Sequence, residues 1–147
     1  QIIGGITDVA LPVWLTYNGR GSYGNFTIET ANSFGTMRIN EFMNDRFAFL
    51  FFRHNFKSLL FKTKKFKPEI IFCQNIGIGI QKYAEYHQFT GKSMEHGYYE
   101  TGILFNNLIR QSFFGYGLGV FYRYGPYSKT ETIDNFGFKF TLYSRFE

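Results

Sequence analysis

The stretch Phe136-Gly137-Phe138-Lys139-Phe140-Thr141-Leu142-Tyr143-Ser144-Arg145-Phe146 puts Phe136, Phe138, Phe140, Leu142 and Phe146 at even positions. Gly137, Lys139, Thr141, Tyr143 and Arg145 fall at odd ones. Successive side chains of a strand point to opposite faces, so this segment reads as a strand with one apolar and one polar face. A soluble sheet can alternate in the same way. A near-terminal Phe on a closing strand of this kind favours an outer-membrane β-barrel.

Composition agrees with that reading. Aromatic residues make up 22% of the 147 residues, with 20 Phe and 11 Tyr, yet mean hydropathy is only -0.21. A soluble core does not need so much Phe, and a helical membrane protein would be more hydropathic. The longest apolar run, Phe47 to Phe52, falls far short of the roughly 18 residues of a membrane-crossing helix. Transmembrane strands need only about 9–11 tilted residues and carry their signal as alternation. The chain starts at Gln1 without an initiator Met, so we expect a removed targeting peptide or a fragment of a longer protein. The single Cys73 excludes an internal disulfide framework. A net charge of +5 permits anionic partners without indicating nucleic acid.

The alternation recurs upstream. Residues 114–125 put Phe114, Tyr116, Leu118, Val120, Tyr122 and Tyr124 on one face and Gly115, Gly117, Gly119, Phe121 and Arg123 on the other. Residues 98–110 put Tyr99, Thr101, Ile103, Phe105 and Ile109 outward, against Glu100, Gly102, Asn106 and Arg110. Residues 69–81 set Ile70, Phe72, Ile76, Ile78 and Ile80 against Glu69, Asn75, Gly77, Gly79 and Gln81. Residues 45–57 are strand-like with an open face assignment, because Phe47, Phe49 and Phe51 compete with Leu50 and Phe52. A short strand over Gln1 to Ile6 is also expected.

Connections set the orientation. Barrels have short periplasmic turns and longer outer loops. With a periplasmic C-terminus, the tight turn near Arg110-Gln111-Ser112 and the 58–68 connection are periplasmic, and the stretch 82–95 is outside. Residues 7–44 are broken by Pro12, Gly19, Gly21 and Gly24, with only 34–42 locally extended. They read as a long outer loop. Its aromatics Trp14, Tyr17, Tyr23, Phe26, Phe34 and Phe42 imply that it folds against something, and the barrel lumen is the expected surface.

The runs Phe34-Gly35-Thr36-Met37-Arg38-Ile39-Asn40-Glu41-Phe42-Met43-Asn44-Asp45-Arg46-Phe47, Arg53-His54-Asn55-Phe56, Leu59-Leu60-Phe61-Lys62-Thr63-Lys64 and Gly119-Val120-Phe121-Tyr122-Arg123-Tyr124-Gly125-Pro126-Tyr127 carry a resemblance, together with the closing Phe-Lys-Phe-Thr-Leu. They resemble the C-terminal barrel of a Bacteroidetes-type outer-membrane family of unknown function whose members carry an N-terminal carboxypeptidase-regulatory-like domain. That barrel is in turn distantly similar to the BamA/TamA type, in which a long outer loop enters the lumen with a characteristic Arg. The resemblance makes residues 7–44 the counterpart loop and Arg38 its arginine, held by an inward acidic partner. Met37-Arg38-Ile39-Asn40 stands where those barrels have Val-Arg-Gly-Phe, and the 69–81 strand offers Asn75 rather than an Asp.

Other conspicuous residues have bland readings. Gly77-Ile78-Gly79 and Gly115-Tyr116-Gly117-Leu118-Gly119 sit inside alternating strands, without the helix that a dinucleotide loop requires. Inward glycines instead let another backbone approach. Lys62, Lys64, Lys65 and Lys67 read as a solvated rim, or as a contact with anionic lipid headgroups. His54, His87 and His96 match no zinc spacing, and His54 with Ser58 is the one nearby Ser–His pair. Glu41 with Asp45, and Glu95 with Glu100, are the candidate carboxylate pairs, against the blander reading of lumen or loop charges neutralised by Arg38, Arg46, Arg110 or Arg123.

These readings converge on an all-β antiparallel transmembrane β-barrel, of which the chain is the C-terminal portion. The whole chain, residues 1–147, forms one barrel segment: 7–44 the lumen-directed loop, and 45–146 antiparallel strands, with about six spanning strands in all. Arg38, Glu41, Glu100, Asn106, Arg110 and Arg123, with Lys139, are the candidate lumen and loop polar residues. The expected role is non-enzymatic, in envelope transport or biogenesis at the bacterial outer membrane, with no catalytic residue, cofactor or metal. Its partners would be outer-membrane lipid and either missing N-terminal strands or partner subunits, not nucleic acid. The rivals are a barrel enzyme acting on lipid, and a soluble β-barrel that turns these phenylalanines inward onto a hydrophobic ligand.

Overall fold

The computed structural model describes the chain except for residues 23, 25, 59–66, 87–91, 112–113 and 145–147. Strands dominate it: β1 (Ile2–Ile6), β2 (Tyr17–Asn18), β3 (Gly21–Ser22), β4 (Phe26–Ile28), β5 (Phe34–Arg38), β6 (Met43–Asn44), β7 (Arg46–Asn55), β8 (Glu69–Ile80), β9 (Tyr98–Gln111), β10 (Phe114–Tyr124) and β11 (Phe136–Ser144). One sheet runs in the order β1-β7-β8-β9-β10-β11-β4. Every pair in it is antiparallel except β11 with β4, which run parallel through Phe138↔Phe26 to Phe140↔Ile28. The sheet is open, with β1 and β4 at its two edges among the described residues.

Register assigns the faces. On the inner face, Phe51, Asn75, Glu100 and Arg123 stand in one row across four strands. Arg53, Cys73, Gly102, Phe121 and Gly137 form the next row, and Ile71, Leu104, Gly119 and Lys139 the one after. The outer face shows Phe52, Ile103, Leu118, Phe138 and Leu142. The alternation expected for residues 69–81, 98–110, 114–125 and 136–144 is therefore present. The open face assignment of 45–57 resolves with Phe49 and Phe51 inward and Leu50 and Phe52 outward.

Residues 17–22 and 34–44 come back onto the inner face, while β4 between them joins the sheet edge. They are tied together by the antiparallel pair β2–β6 and the parallel pair β3–β5. Their anchor is aromatic. Phe34 meets Phe49 and Tyr98 edge-on at ring distances of 5.4 and 5.0 Å, and Phe42 meets Tyr98 at 5.6 Å. These rings form one buried cluster with Met37, Phe51 and Met94. Of the other expected anchors, Tyr17 packs on Phe47, Trp14 and Phe26 are exposed, and Tyr23 lies outside the described residues.

The inward glycines provide the room. A Cβ on Gly137 would lie 2.4 Å from the Gly35 carbonyl oxygen, and one on Gly79 would lie 2.3 Å from Asn44 Oδ1. The inserted backbone therefore rests directly on β11. Replacing Gly137 with Ala must push β5 off the sheet and should cost about 1–3 kcal/mol by overpacking. A lower urea unfolding midpoint, with faster amide exchange at Gly35 and Thr36, is the expected measurement.

Candidate functional site

The site is the seam between β5 with its following turn and the inner faces of β8, β9 and β10. Glu100 is fully buried. A carboxylate there cannot stay charged without donors, and four converge on it. Oε1 accepts from the Gly35 N–H and from Asn75 Nδ2, both at 2.7 Å. Oε2 accepts from the Thr36 N–H at 2.9 Å and from Thr36 Oγ1 at 2.6 Å. Two of the four are backbone amides of the inserted segment.

Arg123 mirrors this arrangement with the opposite charge. Its guanidinium grips Glu41 at both ends, Nη1 to Oε1 at 2.8 Å and Nη2 to Oε2 at 2.7 Å. Nη2 also donates to the Thr36 carbonyl at 3.0 Å, and Nε donates to the Tyr98 hydroxyl at 2.8 Å. The Tyr98 and Thr36 hydroxyls are 2.7 Å apart. Thr36 spends its only hydroxyl proton on Glu100, so Tyr98 donates to Thr36. The chain of donors then runs without a break from Arg123 through Tyr98 and Thr36 to Glu100.

Burial tends to raise the Glu41 carboxyl, but the hydrogen bonds from Arg123 and from the Arg38 backbone N–H outweigh it and hold the group below the usual carboxylate range. A second anchor lies further along β11. The buried Lys139 Nζ donates to Ser22 Oγ and Thr27 Oγ1, each at 2.7 Å. Glu29, just past β4, pairs with Arg53 of β7 at 2.5 Å. This pair links a residue beside one edge of the sheet to a strand near the other.

Of the expected residues, Glu41, Glu100 and Arg123 come together, with Lys139 nearby. Arg38 does not join them, which corrects the expectation. Its side chain is exposed, because Met37 takes the inward position in β5, and its backbone alone meets Glu41, the N–H donating to the carboxylate at 2.8 Å and the carbonyl accepting from the Glu41 N–H at 3.2 Å. The charges are exchanged: the inward arginine, Arg123, belongs to the sheet, and the acid that holds it belongs to the inserted segment. Asn106 faces inward apart from this network, with Oδ1 unpartnered. Arg110 lies on β9 opposite Gly115, and its side chain falls outside the described residues.

Asp45 is buried and accepts from the Tyr83 N–H, while Glu95 is exposed beside His96. Neither forms a carboxylate pair. Lys67 is exposed, whereas Lys62, Lys64 and Lys65 lie outside the described residues, as does His87. His54 is exposed with its ring edge-on to Phe56. Among the described residues, no group of three His, Cys, Asp or Glu could hold a metal ion. Asn75 takes the inward place expected of it on β8, whereas Tyr98, Thr36 and Ser22 carried no expectation, although Tyr98 shares its inward parity with Glu100 two residues on.

Comparison with family models, curated proteins and solved structures finds no match to this chain. The geometry therefore stands alone.

A Gln at position 100 would aim its amide N–H groups at donors already in place. The Glu100→Gln variant should lose about 3 kcal/mol and release residues 34–38 to proteolysis. Glu41 has a folded pKa below its ordinary value of 4.5, so its contribution is complete above that value and is lost as pH falls through the lower folded one. The urea midpoint should hold from pH 7 to pH 5 and drop below about pH 4. In Glu41→Gln that acid-dependent drop should be smaller.

Proposed function

We propose that this chain is the C-terminal part of an outer-membrane β-barrel, of the type carried by the family it resembles. In this reading it acts as a non-enzymatic membrane scaffold in envelope transport or biogenesis. The observation that carries the proposal is the inverted polarity of the sheet. Glu100, Arg123, Lys139 and Asn75 are buried on one face, while Leu118, Phe138 and Leu142 stay exposed at 52%, 45% and 55% on the other. Monomeric soluble proteins rarely expose an apolar patch of such extent, and lipid is the solvent that suits it.

Strand length supports the same reading. The five long strands run from 9 to 14 residues, enough to cross a bilayer at a tilt. Tyr99 stacks on Tyr124, and Tyr122 packs on Phe136, at the end where the long connections lie. Aromatic girdles of barrels occupy that level. Residues 17–44 would close the lumen side, held by Glu100, Arg123 and Lys139, and whatever passes must first release them. Strands missing from this chain, or partner subunits, would complete the wall.

Leu118 lies midway along β10 on the outer face, so Leu118→Arg separates the solvents. In lipid the variant should lose about 2–4 kcal/mol of folding stability, measured in bilayer vesicles. On a water-exposed sheet it would stay within about ±0.5 kcal/mol. Recovery of the chain as a soluble monomer without detergent would overturn the proposal.

A further inference from the structure

Residues 92–97, the last part of the connection from β8 to β9, lie across the root of the inserted segment. The Met43 N–H donates to the Lys92 carbonyl at 3.0 Å, and the Met94 N–H donates to Asn44 Oδ1 at 3.3 Å. The Gly79 N–H reaches the Met94 carbonyl at 3.2 Å, which ties the same stretch to β8. Met94 is buried in one cluster with Phe34, Phe42 and Tyr98, whereas Lys92, Glu95 and His96 are exposed. Residues 42–44 are thus strapped down by backbone bonds and a single buried side chain.

Tyr127, on the connection from β10 to β11, holds that strap. Its hydroxyl donates to the Ser93 carbonyl at 2.8 Å and accepts from the His96 N–H at 3.3 Å, so its one proton is spent on the strap. Its ring meets Phe42 edge-on at 5.0 Å, and its carbonyl accepts from Arg123 Nη1 at 3.3 Å. Tyr127 itself sits on a braced turn. Pro126 takes the second turn position, which favours it, and the Ser128 N–H closes on the Gly125 carbonyl at 3.0 Å. Asn135 clamps the next residues, accepting from the Lys129 N–H at 2.6 Å and donating to the Lys129 carbonyl at 2.9 Å. The braced turn, the strap and the charged seam meet at one residue.

We propose that residues 92–97 are a strap latched by the Tyr127 hydroxyl, and that the latch must open before residues 34–41 can leave Glu100 and Arg123. Residues 42–44 directly follow Glu41, so the strap pins the segment at the end of the seam. This order of release follows from hydrogen bonds and burial. It goes beyond the membrane reading and stands or falls apart from it.

The test is residue-resolved amide hydrogen exchange of the full chain, folded in buffer or, if it needs them, in detergent micelles. In wild type, Met43 and Gly97 should exchange faster than Gly35 and Thr36, and those faster than Phe121 within β10, which reports opening of the whole sheet. Tyr127→Phe keeps the ring on Phe42 and removes only the latch. It should speed Met43 and Gly97 roughly tenfold, as the loss of one to two hydrogen bonds does. Gly35 and Thr36 should speed up by the same factor, because their release includes opening the strap. Glu100→Gln should speed Gly35 and Thr36 alone. If Tyr127→Phe leaves Met43 and Gly97 unchanged, the hydroxyl is no latch. If it leaves Gly35 and Thr36 at the wild-type rate, or if Glu100→Gln speeds Met43 and Gly97 as well, the order is wrong. If Gly35 and Thr36 exchange no faster than Phe121, the segment has no separate release and the proposal falls.

Discussion

A carboxylate in the middle of a sheet has to be neutralised where it stands, and Glu100 is neutralised by another part of the chain. Its backbone neighbours in β8 and β10 are committed to ladder hydrogen bonds. Only Asn75 on the sheet is free to donate to it, and the amides of Gly35 and Thr36 supply most of what remains. Without them the charge would be buried and under-solvated, a situation that costs several kcal/mol. The sheet therefore needs the inserted segment as much as the segment needs the sheet. Arg123 places the reverse demand on Glu41. Two opposite charges on adjacent inner positions, each met by a group from residues 35–41, fix the register of the segment more sharply than apolar contacts could.

The remaining features follow from that docking. A backbone cannot reach the floor of a sheet through side chains, so the floor beneath β5 carries Gly137, and Gly77 and Gly79 leave space for Phe34 and Asn44. Beside the charged pair, on the β7 side, the inner face is apolar, and Phe49, Phe51 and Tyr98 receive Phe34 and Phe42. The inner surface is thus split into an aromatic zone, a charged zone and the Lys139 zone, and each is matched by a different stretch of residues 17–44. The outer face is mainly branched and aromatic, interrupted by Gly4, Ala48 and Arg46 on one side and by Gln74 and Thr101 near the middle.

Alternation made most of this legible, because period two is a local property and each strand states its own faces. It failed to choose at residues 47–52, where both parities are apolar. The inner parity there is apolar because it packs against Phe34, a partner distant in sequence. The seam was half legible. Glu100 and Arg123 carry inward parity and could be picked out, but two of the four donors to Glu100 are backbone amides of Gly35 and Thr36, which leave no side-chain signature. Arg38 misled because the resemblance drawn from the sequence points to an arginine on the inserted segment, whereas here that segment brings the acid. The parallel pairing of Phe26–Ile28 with β11 had no local signal, since three residues between glycines and a polar turn form a strand only because an edge is available.

Those edges show how the sheet fits its surroundings. β4 covers β11 only along Phe138–Phe140, and β1 pairs with β7 only from Arg46 to Leu50. In water the uncovered peptide groups would be solvated, but in hydrocarbon each unpaired one costs several kcal/mol, so a spanning sheet has to close. The pair between Glu29 and Arg53 already draws the β11 side of the sheet toward β7. That contact belongs to the same inserted segment that satisfies Glu100. A barrel completed by further strands would keep the inner contacts of residues 30–44 unchanged. It would compete only with β4, whose three-residue parallel ladder is the weakest pairing in the sheet. In the proposed barrel, closure and docking of the segment would be separable: the charged seam fixes residues 35–41 on the inner face, while the three-residue ladder of β4 alone occupies the edge of β11.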